Sequence, residues 1–271
     1  MAEAKTQEGS GDLRAALERW NQALALLPGD ASQTGWVRKQ VLRLELEQKL
    51  APAEDQGGRV LALFSPKFLL SLAAFVGLAS LTFGFAFGVG FAAQILIHEM
   101  GHYIDIRRRG LPADMPVFLP GLGAYVRWRA MGVSDRTRAE ISLAGPLAGF
   151  FAATACAAMW WHTREDNWAT LAHVGAMLNL LNLVPVWALD GGQAIVALDK
   201  AGRWTLLIVC IALWPLLGQP VFFLVAGGIA YRLFMKDPAT EPCPSVTAYF
   251  AAVLALLGAV LWFLSKHGAA V

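Results

Sequence analysis

"QILIHEMGHYIDIRRRG", Gln94 to Gly110, decides how this chain is read. It continues an apolar run: the thirty residues from Phe68 to Ile97 contain no Asp, Glu, Lys or Arg. On a helix, His98 and His102 lie four residues apart and share one face. Two imidazoles so placed can hold one zinc ion, with Glu99 one step round the helix to act on water at the metal. An ionisable side chain at the centre of a membrane span costs about 2.5–3.5 kcal/mol on insertion scales, so His-Glu-x-x-His after such a run marks a functional site. At about 1.5 Å per residue, the nine residues from His98 to Arg107 put the pair roughly 13 Å below the polar boundary.

Composition supports a membrane setting. Of 271 residues, 56% are hydrophobic and 15% charged, with mean hydropathy +0.49. A soluble domain of this size carries about 25% charged residues. The net charge of +2 gives no reason to expect nucleic acid as a partner. Cys156, Cys210 and Cys243 are widely spaced and form no CxxC, which argues against both a disulfide framework and a cysteine metal site.

The first fifty residues are polar and helix-forming and do not read as a signal peptide. Leu13, Leu17, Trp20, Leu24 and Leu27 recur at helical spacing, and Pro28-Gly29-Asp30 is a stop. Val37, Val41 and Leu44 repeat the pattern in a second helix. "GDLRAALERWNQALALLPGD" resembles the second helix of a tetratricopeptide repeat with its terminating proline. One such unit normally needs stacked neighbours, so the segment is either a truncated repeat or a plain helical hairpin, and in both cases a place where a regulator could dock. Ala51 to Arg59 is a polar, glycine-containing linker.

Beyond Lys67 the expected spans are Phe68–Phe83, Gly84–Ile106, Ile141–Trp161, Ala169–Trp187 with an interruption at Pro185, Trp204–Leu217, Val221–Phe234 and Thr247–Leu264. Between the second and third, a polar stretch rich in proline and glycine around "GLGAYVRW" (Gly121–Trp128) reads as a short strand or two at the membrane face. "WHTREDNW" reads as a connecting loop. The fold class is thus an all-α polytopic membrane protein of about seven transmembrane helices, with a small β segment and an N-terminal helical hairpin. With the hairpin in the cytoplasm, twelve Lys and Arg between Lys67 and Lys236 fall inside, and only Arg164 and Lys266 outside. That asymmetry sets the expected orientation, in the cell membrane.

A catalytic zinc takes three protein ligands and one open position. His162 and His267 fall on the wrong side of this topology, and His173 lies near the outer end of its span. Asp190, in "NLVPVWALDGG", is the better third ligand, because Pro185 breaks the helix and Gly191-Gly192 let the backbone bend toward a metal. An alternative role for Asp190 is to cap the helix that follows it, which is compatible with ligation.

"IHEMGH", then "SLAGPLAG", then "NLLNLVPVWALDGG" resemble, in order and spacing, the site-2 protease family of intramembrane zinc metalloproteases. The resemblance covers about Lys67 to Ala197. It implies one Zn²⁺ per chain held by His98, His102 and Asp190, with Glu99 as general base and Asn182 holding the substrate carbonyl or its oxyanion. Asn179 faces a similar way to Asn182, and their roles are not separated by the pattern. Gly145-Pro146 match the family's small-residue packing point. Ala188 departs from the proline often found before Leu-Asp-Gly. The domain plan that follows is a hairpin at 1–50, a linker at 51–66 and a metalloprotease domain at 67–271, with its catalytic core at 67–200 and additional helices at 203–265.

The implied activity is zinc-dependent endopeptidase cleavage of single-span membrane proteins within the lipid bilayer, by attack of a zinc-activated water. A helical substrate must be unwound first, since its carbonyls are internally bonded. Gly121, Gly123, Ala124, Tyr125 and Val126 could hold it as an added strand, or could simply cover the membrane face. Asp105 is either a partner of His102 or an interfacial residue. The competing readings are a membrane-anchored enzyme with a cytosolic site, which lacks a third ligand outside the spans, and a non-catalytic metal-dependent transporter or chaperone. Intact Glu99 argues against the latter, which has no need of a base.

Overall fold

The computed structural model describes residues 13–27, 33–50, 65–121, 123–128, 133–186, 188–235 and 242–269. The chain divides into two compact units, Met1–Arg59 and Val60–Val271. The expected stop at Pro28–Asp30 and linker residues 51–64 lie outside the described residues.

In the first unit, α1 (Leu13–Leu26) and α2 (Thr34–Leu50) form a hairpin. Ala16 and Trp20 repeat at i, i+4, as do Val37 and Val41, and with Leu44 they bury one apolar stripe from each helix against the other. Trp20 and Trp36 meet edge to face at 5.3 Å.

The described residues of the second unit are mainly helical, with one two-stranded sheet. α3 (Pro66–Phe83) starts where Ser65 accepts a hydrogen bond from the Phe68 amide and Pro66 occupies the first turn. It ends at Gly84, whose φ of 90° reverses the chain at once into α4 (Phe85–Arg108). Only a glycine adopts that angle without strain. The sheet follows: β1 (Val117–Leu119) pairs antiparallel with β2 (Gly123–Tyr125) in the register Val117↔Tyr125, Phe118↔Ala124, Leu119↔Gly123. Phe118 is buried against Phe68 and Phe75 of α3, which seats the sheet on that helix.

α5 (Asp135–Thr163) and α6 (Asp166–Asn182) form the centre, packed through alanines and small residues, and α10 (Pro244–Lys266) lies against both. α7 (Asp190–Ala194) is a single turn beside α5, continued by a 3-10 turn at Ile195–Ala197. α8 (Lys200–Leu217) and α9 (Val221–Phe234) form a hairpin. Arg203 on α8 is buried, its guanidinium donating to the Leu198 and Arg232 carbonyls.

Among the described residues, four helices, α3, α5, α8 and α10, are long and apolar enough to cross a membrane. The other three expected spans fall short for separate reasons. α4 carries His98, Glu99, His102 and Asp105 in its second half, α6 has 17 residues, and α9 has 14. The expected loop "WHTREDNW" shrinks to Arg164 and Glu165, because α5 runs through His162 to Thr163 and α6 begins at Asp166. Arg164 closes α5 at φ 60°, with its guanidinium over the Trp160 and Trp161 rings at 5.2 and 4.2 Å. Those cation–π contacts offset the cost of a left-handed conformation for a residue with a Cβ.

Candidate metal centre

α4 carries His98, Glu99 and His102 into the buried region where it crosses α5 and α6. The crossing is close because the facing positions are small. A Cβ on Gly101 would overlap the Ala144 carbonyl, one on Gly145 the His102 ring, and one on Gly149 the Asn179 carboxamide. Gly145, the expected packing point beside Pro146, is therefore the space into which the His102 imidazole fits.

Asp190 arrives from the far side. α6 ends at Asn182, the backbone turns at Leu183 and Val184, and Asp190 opens α7. A Cβ at Gly191 would overlap the Leu183 carbonyl, so glycine is what lets this turn fold back on α6. The result brings Asp190 Oδ2 to 3.3 Å from His98 Nε2 and Oδ1 to 3.3 Å from His102 Nε2, while the two Nε2 atoms are 3.2 Å apart.

The other ring nitrogens set the protonation. His102 Nδ1 lies 2.8 Å from the Ile141 carbonyl, which can only accept. His98 Nδ1 lies 2.7 Å from Asn179 Oδ1, and Asn179 Nδ2 donates to the Gly175 carbonyl, which fixes that carboxamide with its oxygen toward the histidine. Both Nδ1 atoms therefore donate, and in the neutral imidazoles the Nε2 atoms present lone pairs to the shared space. Two lone pairs and a carboxylate face one another there, and Asp190 Oδ2 is buried with no hydrogen-bond partner. A cation resolves that arrangement. Ligand atoms on a tetrahedral ion with bonds of about 2.0 Å stand about 3.3 Å apart, the spacing seen here. Among the described residues, His98, His102 and Asp190 form the one group of histidine, cysteine and acidic side chains placed to hold a metal ion, with ligand atoms all within 4.8 Å.

Two cavities meet at this group. One, of about 490 Å³, is lined by His98, Glu99 and Asn182 together with Gly121, Gly123, Ala124 and apolar side chains of α3 and α4. The other, of about 260 Å³, is lined by His98, Glu99, His102, Asn182 and Asp190 together with Ala124, Tyr125, Val126 and Trp128. Glu99 and Asn182 border both.

The sheet register shows which backbone groups of β2 face the cavities. The Phe118 amide donates to Ser71 Oγ, away from β2, so Phe118↔Ala124 is a non-hydrogen-bonded pair. Gly123 and Tyr125 therefore spend their N–H and C=O groups on β1. Ala124 and Val126 direct theirs to the opposite edge, where the Val126 backbone lies beside the Glu99 carboxylate and both line the smaller cavity.

Asp105 and the other three histidines lie away from the group. Asp105 pairs with Arg109 at 2.8 Å and so belongs to the helix end, not to His102. His162 is exposed at the end of α5, His173 is half-buried in α6, and His267 donates to the Phe263 carbonyl, its ring against Trp161. Two partners escape a sequence reading. Asn179 separates from Asn182 only once α4 and α6 are seen in contact. Gln94, one turn before His98, is buried and donates to the Leu171 carbonyl at 2.7 Å, and Gly175 makes room for it. Its i, i−4 spacing from His98 was the available signal.

Comparison of the chain with protein-family models, with curated proteins and with solved structures finds no match.

Proposed function

We propose that the chain is a zinc-dependent endopeptidase that works inside a membrane and cuts membrane-spanning segments of single-span proteins. The observation that carries this reading is a trio of metal-ligand atoms, His98, His102 and Asp190, packed among apolar helices with a carboxylate, Glu99, outside the trio but bordering the same cavities. A site that only stored or moved a cation would have no use for that fourth, non-ligating acid. The likeness of three motifs to site-2 proteases points the same way.

His98, His102 and Asp190 would hold the ion. When bound, zinc supplies a Lewis acid that polarises a carbonyl and makes water acidic enough to ionise near neutral pH. Glu99 takes the proton from water and passes it to the leaving amine. The Val126 backbone lies beside the Glu99 carboxylate, where its amide can steady it for both transfers. Asn182 borders the cavities as a side-chain donor for the oxygen that gains negative charge. Ala124, with its backbone groups on the open edge of β2, pairs with the unwound substrate as an added strand.

The full reading has seven membrane crossings, with α4, α6 and α9 completing the set, and the N-terminal hairpin in the cytoplasm. Gln94 and His98 of α4, which lower its hydropathy, are buried and bonded to Leu171 and Asn179 of α6. The hairpin is a docking place for a regulator. The test is cleavage of a single-span substrate by the purified chain in detergent: a chelator should abolish it and added zinc restore it. Cleavage indifferent to chelation would reject the metal mechanism.

A further inference from the structure

The two cavities differ in chemistry. The larger runs from Glu99 between α3 and α4 toward Thr82 and Phe83, at the end of α3 away from Lys67. Its wall is Phe75, Leu78, Ala79, Phe91, Ile95 and Leu178, with Thr82 among few polar side chains away from the metal group. The smaller is bordered by Ser142, Asp190, Gln193 and the backbone of Ala124–Val126, on the side of the chain that leads to Arg127 and α5's polar start. β2 spans the boundary, with Ala124 on both.

We infer that the larger cavity is a selectivity pocket for a bulky apolar side chain next to the bond that is cut, so that the enzyme selects the place where a substrate's apolar segment gives way to polar sequence. This rests on the peptidase reading above. An extended substrate held at Ala124 has one flank in each cavity. Its apolar flank is better matched by the larger, because the smaller, though it includes Trp128, Ile141 and Leu189, also offers a carboxylate, a hydroxyl and a carboxamide, which an apolar group would leave unpaired. A volume of about 490 Å³ falls within the range of pockets that enclose a ligand, and holds a phenylalanine or leucine side chain with room to spare. The occupant is a substrate side chain and not lipid because His98, Glu99 and Asn182 line the same space.

Apolar pockets discriminate by about 10- to 200-fold per methylene gained or lost. A single-span substrate is scanned by placing Ala, Leu or Phe at each position across the end of its apolar segment. One position should favour Leu or Phe over Ala by about tenfold or more. Ala79→Phe, which fills the pocket, should cut that ratio at least tenfold, and Phe91→Ala, which enlarges it, should shift the preference toward Phe, both with zinc content equal to wild type. A readout free of turnover uses the Glu99→Gln chain with a photo-crosslinking residue at Leu78, which should capture the substrate at the preferred position. If the wild type cleaves in a Glu99-dependent manner but both pocket variants keep its ranking, the pocket assignment is wrong and the peptidase reading stands. Absence of a crosslink from Leu78 to substrate overturns it equally. If cleavage never depends on Glu99, the peptidase reading falls and takes the pocket with it.

Discussion

His98 donates its Nδ1–H to Asn179 Oδ1 at 2.7 Å, so an asparagine of α6 sets the orientation of a histidine of α4. Asn179 is itself fixed by its bond to the Gly175 carbonyl and by the space at Gly149. Partners of this kind typically carry about 10- to 100-fold in metal affinity. Asn179→Ala should therefore weaken zinc binding by about that factor in a chelator competition, with His98 still present. An unchanged affinity would mean that packing alone holds the ring.

The glycines of α5 make a sharper test, because the cause is steric. Gly145→Ala puts a methyl group into the His102 ring and Gly149→Ala puts one into Asn179. Overpacking of this kind costs about 1–3 kcal/mol. Both variants should lose zinc occupancy and unfold at lower temperature in a thermal melt. Gly227→Ala on α9, where a Cβ meets nothing within 4 Å, should do neither.

Much of the site was readable before any fold was known. His-Glu-x-x-His needs only helical spacing, Gly84 announces the break between α3 and α4, and Asp190 stands out as an acid between a proline and two glycines. The roles of Asn179 and Gln94 were not readable, because each depends on which face of α4 meets α6. The count of spans was hard for a related reason. Length and hydropathy mark four helices as able to cross a membrane, and α4, which buries Gln94, His98, Glu99 and His102, is not among them.

The register of β1 and β2 separates two substitutions that the sequence treats alike. Val126→Pro removes an amide on the open edge, beside the Glu99 carboxylate. Tyr125→Pro removes one that pairs with Val117 on β1. Val126→Pro should reduce cleavage strongly with zinc retained, by at least tenfold if the amide acts like other positioned donors. Tyr125→Pro should act through loosening of the sheet and lower thermal stability as well, while Arg127→Ala should have little effect. Wild-type cleavage by Val126→Pro would remove this segment from the machinery.

Orientation is open to direct labelling, since Ser134 caps the start of α5, Thr163 is its last residue, and both are exposed. In intact cells, a cysteine at Thr163 should react with an impermeant thiol reagent and one at Ser134 should not. The reverse pattern would place the metal group on the other side of the membrane.

The central claim is that Glu99 is a base beside a metal and not a ligand of it. The most direct measurement is zinc content and cleavage rate determined together on the same preparation of Glu99→Gln, with Asp190→Ala as its counterpart. Glu99→Gln should keep one zinc per chain and lose cleavage of a single-span substrate, and Asp190→Ala should lose both. Glu99→Gln that holds zinc and still cuts at the wild-type rate would contradict the account.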